Sequence, residues 1–145
     1  MNDGKTLWIG GEWHSASSQA SFRGRNPSTG QELGEIADAS PADARRAVDA
    51  AARAFPAWRG LGPFARGEFL LRAAAILESR APEYARILIE ETGSIFGKAM
   101  FEIGFAAAIL RTAAAQCLQP TGEGLPSALP GRSNLVERVP AGVVP

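Results

Sequence analysis

Few side chains in this sequence could carry chemistry, and each stands alone. Cys117 is the single thiol and His14 the single histidine. A nucleophilic cysteine needs a neighbouring base or a helix N-terminus to depress its pKa. Cys117 falls near the C-terminal end of an expected helix, where the dipole disfavours a thiolate, so its expected role is packing, as a small hydrophobe. His14, read as a loop residue after a hairpin, has no second histidine or cysteine nearby, which argues against a metal site. Glu90, Glu91 and Glu102 are carboxylates in apolar surroundings and could in principle do paired acid–base work. Lys98 and Arg111 offer them ion-pair partners, which favours a structural role. The "TGEG" of Thr121–Gly124 holds one Gly-x-Gly, but it follows a helix end and precedes a proline loop, without the strand-to-helix context of a dinucleotide fingerprint. Taken alone, these residues assemble no catalytic centre.

The elements that would position them read in two styles. "TLWIGGEW" predicts a hairpin, with Thr6 to Ile9 extended, Gly10-Gly11 turning at positive φ and Glu12-Trp13 returning. Pro27 and Gly30 punctuate a turn, and Glu32 to Ala37 suits a short strand. At Ser40 the period changes to helical: Ser40 as N-cap, Pro41 at the first position and Asp43 reaching back to the cap. Ala44, Val48, Ala51, Phe55 and Trp58 then share one face, and Pro56 is expected to kink or stop the helix. A second helix should follow Gly62-Pro63 with a stripe of Phe69 or Leu70, Ala73 and Leu77. A third should open at Pro82 and end at Gly93. The fourth, "SIFGKAMFEIGFAAAILRTAAAQCL", is apolar on nearly every face from Ala99 to Leu110, which predicts burial on several sides. "PTGEGLPSALPGRSNL" reads as a loop leading to a final strand run over Leu135 to Val144.

Bulk composition narrows the classes. The 145 residues are long enough for one core. Lys+Arg 15 balances Asp+Glu 15, so no long-range field favours nucleic acid or an anionic membrane. The most apolar window, Ala99 to Leu118, contains Glu102, Arg111 and Gln116, which favours a buried helix over a membrane span. A lone cysteine and no secretory pattern in "MNDGKTLWIGGEW" make a cytoplasmic protein the expectation. The final "VERVPAGVVP" stops inside an apolar run at Pro145. With so apolar a fourth helix and so little other material to cover it, the chain reads as a piece of something larger.

The order of motifs is more telling than any one of them. "LWIGGEW", "NPSTGQELGEIADAS", "DARRAVDAAARAFPAWRGL", "ARGEFLLRAAAILESRAPEYARILIEETG" and "PSALPGRSNLVERVPAGVV", in that order, resemble the N-terminal part of the NAD(P)-dependent aldehyde dehydrogenase superfamily from Leu7 to Val144. "ETGSIFGKAMFEIGFA" together with the last segment looks most like the branch that oxidises aromatic aldehydes such as benzaldehyde. The resemblance implies an α/β fold: the N-terminal helical part of a dinucleotide-binding domain plus short β-hairpins, incomplete over residues 1–145. It implies NAD or NADP as coenzyme in the full-length parent, with none bound by this piece, and a homo-oligomer acting on a small aldehyde.

In that family a cysteine thiolate attacks the aldehyde, amide donors hold the oxyanion, hydride passes to nicotinamide, and a glutamate-activated water releases the acid. The nucleophilic Cys, the base Glu and the oxyanion Asn would all lie beyond Pro145, and Cys117 does not match the catalytic position. No catalytic and no coenzyme-binding residue is therefore expected among residues 1–145. The helices from Ser40 to Leu118 would cover the coenzyme-binding sheet, and the segment after Pro126 would join the sheet that bridges subunits. The substrate tunnel is partly lined by the helix matching Lys98–Arg111, which makes Phe101 and Phe105 candidates for an aromatic-substrate wall, with plain core packing as the other reading. The sequence departs from the common pattern at Ser94, where many relatives carry Lys after "ETG"; the change alters which partner can neutralise Glu102 and removes no catalytic group. In some members a carboxylate matching Glu91 helps hold a structural monovalent cation, a role not assigned here. From another class, a small helical non-catalytic interaction module would use the same apolar helix as a partner surface.

Overall fold

In the computed structural model, residues 6–119 and 121–144 are described. The Gly-Gly turn forms as its sequence requires. Strands β1 (Thr6–Ile9) and β2 (Glu12–Ser15) pair antiparallel around Gly10 and Gly11, whose φ values of +65° and +90° lie in the region that only glycine occupies freely. Trp8 stands directly across from Trp13, their rings edge to face with centroids 4.9 Å apart, an arrangement that stabilises a cross-strand pair. His14 lies within β2, opposite Leu7, and not in a loop.

Strands β3 (Ser21–Arg25) and β4 (Glu32–Ala37) form a second antiparallel hairpin. The "SFRGR" of β3 carries no β-branched residue and gives little strand signal on its own; the turn between the strands organises it. The buried Asn26 side chain accepts from the N–H groups of Ser28 and Thr29, at 2.8 and 3.1 Å, and Gly30 closes the turn at φ +71°.

Helix α1 (Pro41–Gly60) begins with the expected reciprocal cap. Asp43 N donates to Ser40 Oγ, and Ser40 N donates back to Asp43 Oδ2 at 2.9 Å. Pro56 does not stop this helix, which runs on to Gly60. Proline's fixed φ is itself helical, and the carbonyl it leaves without a donor belongs to the exposed Ala52. The face from Ala44 to Trp58 is largely uncovered in this chain: Val48 and Trp58 are half exposed, and the one buried residue of α1 is Asp43.

The core sits between the other three helices. Helix α2 (Pro63–Ser79) passes through Arg80 into α3 (Ala81–Thr92), and α4 (Phe96–Gln116) runs back along both. The seam is made of small residues. Gly67 and Ala74 of α2, Ala85 of α3, and Ala99, Ala107 and Ala114 of α4 are all buried, with Ile103 the one large side chain among them. A Cβ on Gly67 would lie 3.4 Å from the Ala114 carbonyl oxygen, so the two helices approach closely at this point. The expected α2 stripe is thereby corrected. Phe69 and Ala73 are exposed and Leu70 and Leu77 only half-buried, because contact follows the smallest residues and not the largest.

The segment after α4 also departs from expectation. Gly122–Pro126 is a strand, β5, paired antiparallel with β6 (Ser133–Glu137), while residues 138–144 form no strand. Glycine and proline read as loop signals here. A strand needs them to be compatible with only one ladder when its other edge is open, and Pro126 sits at the strand end.

Candidate functional site

The residues able to define a site lie on α4. Ile103 faces the helical seam. At about 100° per residue, Phe101 and Phe105 fall roughly 160° from it, on the opposite side of the same helix. They are one turn apart, and their rings stack with centroids 5.9 Å apart and planes 7° from parallel. Phe101 is 68% exposed and Phe105 57%, with Ile109 continuing the stripe. Helix α4 is therefore apolar on two sides, of which this chain packs one and leaves the Phe101–Phe105 side uncovered, as expected of a stretch with too little other material to bury so apolar a helix.

The corner before α4 joins segments distant in sequence. Gly93 ends α3 in the left-handed region, at φ +69°. A Cβ there would meet Ser28 Oγ at 2.3 Å and Pro27 Cγ at 3.2 Å, and Ser28 Oγ donates to the Gly93 carbonyl at 3.4 Å. The "NPSTG" turn and the "ETG" helix end, far apart in sequence, thus meet as one joint. Ser94, just past that joint, has a buried hydroxyl without a hydrogen-bond partner.

The charged residues near α4 are paired. Lys98 bridges Glu102 at 2.5 Å, Arg86 lies 3.9 Å from Glu90, and Arg111 reaches Glu78 on α2. Arg111 therefore serves a residue other than the carboxylates expected for it, and Lys98, one turn from Glu102, is the partner that neutralises that group. All of these side chains are substantially exposed, where such pairs contribute little. Glu91 is exposed, and among the described residues no group of three or more His, Cys, Asp or Glu could hold a metal ion.

Cys117 caps the C-terminus of α4, half-buried, its Sγ 3.4 Å from the Ala113 carbonyl oxygen as donor. That is a packing position. The Gly-x-Gly of Gly122–Gly124 lies inside β5, so it forms no phosphate cradle at a helix N-terminus. No helix among the described residues is long and apolar enough to cross a membrane.

The residue that sequence reasoning valued too little is Asp43. Beyond the cap, its carboxylate accepts from Ser17 N at 3.1 Å, Ser17 Oγ at 3.0 Å and Arg46 Nη2 at 2.7 Å. The backbone N–H of Ser40, with the Ser17 donors adding to it, holds this carboxyl well below the usual carboxylate range. The capping signature was visible in sequence; the long-range hold on the segment before β3 was not.

The packed helices, the hairpins and the aromatic-bearing face define an α/β scaffold, and the comparisons give its class. The aldehyde dehydrogenase family model matches residues 13–145, and the chain belongs to that family. Over 138 residues, 95% of the chain, it is 43% identical to a vanillin dehydrogenase of a Pseudomonas species, of which it covers 28%. The structure superposes on that of an NAD-dependent benzaldehyde dehydrogenase from Corynebacterium glutamicum with a TM-score of 0.84 at 33% identity, covering 94% of this chain and 30% of the other. It also superposes on an NADP-dependent enzyme of E. coli, with a TM-score of 0.85 at 28% identity and coverage of 92% and 28%. The chain thus spans under a third of the length of the relatives it matches.

Proposed function

We propose that the protein to which this stretch belongs oxidises an aromatic aldehyde to the carboxylic acid, with NAD or NADP as hydride acceptor. The observation that carries the reading is the stacked Phe101–Phe105 pair, exposed on the side of α4 turned away from its own core, in a chain similar to dehydrogenases named for vanillin and benzaldehyde. Two exposed, parallel aromatic rings offer outer faces and edges against which an aromatic substrate ring can pack. In this proposal residues 1–145 are scaffold and one wall of the substrate tunnel. The thiolate, the base, the oxyanion donor and the coenzyme site are supplied by the rest of the enzyme. The open edges of the β5–β6 hairpin support assembly into a homo-oligomer, and the single cysteine suits the cytoplasm.

The test uses the full-length enzyme and compares kcat/KM for benzaldehyde with that for a short aliphatic aldehyde. Phe101→Ala or Phe105→Ala is expected to lower the aromatic-to-aliphatic ratio up to about tenfold, since one aromatic contact contributes about 0.5–1.5 kcal/mol. An unchanged ratio removes the wall assignment. Failure of the unmutated enzyme to oxidise any aldehyde with either coenzyme removes the function itself. The chain of residues 1–145 alone is expected to form no NADH from NAD and aldehyde; activity that vanished in Cys117→Ala would overturn the division of labour.

A further inference from the structure

We draw no further inference here: the strongest candidate, the apolar cleft of about 360 Å³ between α2, α3 and α4 lined by Leu77, Tyr84, Leu88 and Ile103 with Glu102 at its edge, is an unpartnered apolar surface and nothing in the structure shows what covers it.

Discussion

Ile103 and Phe101 are two residues apart on one helix, both large and apolar, and the structure assigns them opposite roles. Ile103→Ala removes three carbons from a side chain that is 4% exposed, packed with Ala85 and Ala99. At about 0.8 kcal/mol per buried carbon the transfer loss alone is about 2.4 kcal/mol, and an unfilled cavity raises it within the usual range of about 2–5. Phe101→Ala acts on a ring that is 68% exposed. Only about a third of a full burial of about 2.5 kcal/mol is at stake, and alanine's better helix propensity returns about 0.5, leaving about 0.3. With a urea m-value of about 1.5 kcal/mol/M, the Ile103 change lowers the midpoint for loss of helical dichroism by about 1.5 M, while the Phe101 change moves it by only about 0.2 M. Equal shifts, or a larger one for Phe101, would mean that α4 packs by its other face and that the two phenylalanines are core.

At Gly93, substitution by alanine combines a left-handed backbone with a Cβ 2.3 Å from Ser28 Oγ. The expected loss is more than about 1 kcal/mol in the same urea titration, and a neutral result would mean that the joint between the "NPSTG" turn and α3 does not form. Asp43→Asn tests the buried carboxylate by pH. A carboxyl whose folded pKa is depressed contributes its full stability above its ordinary value of 3.8 and loses it as pH falls through the folded value. The variant is expected to be clearly less stable than the unsubstituted chain at neutral pH, the gap narrowing in acid; a gap that held constant or widened below 3.8 would refute the hydrogen-bonded anion. The exposed stripes of α1 and α4 predict that the chain of residues 1–145 binds an apolar-surface dye while showing strong far-UV helical dichroism. A monodisperse monomer with sharp cooperative unfolding and no dye binding would show those stripes to be covered within the chain.

Local rules wrote much of this fold into the sequence. A capping box is legible because Ser40, Pro41 and Asp43 act on backbone groups three residues away. The first hairpin is legible because Gly10-Gly11 can turn where other residues strain, and the end of α3 at Gly93 for the same reason. The order of such local signals also sufficed to place the chain in its family. What sequence could not rank was burial. Period alone puts Ala44 to Trp58 on one face and makes α4 apolar on nearly every face, whereas which stripe is covered depends on what else is within reach. Tertiary packing chose the seam of small residues Gly67, Ala74, Ala107 and Ala114, and left Phe101 and Phe105 uncovered in this chain. It also paired Arg111 with Glu78, turned Gly122–Pro126 into a strand by giving it Ser133–Glu137 as a partner, and tied Asp43 to Ser17. These are contacts between residues distant along the chain. Their strength depends on distances that no local pattern encodes, so only the folded molecule could decide them.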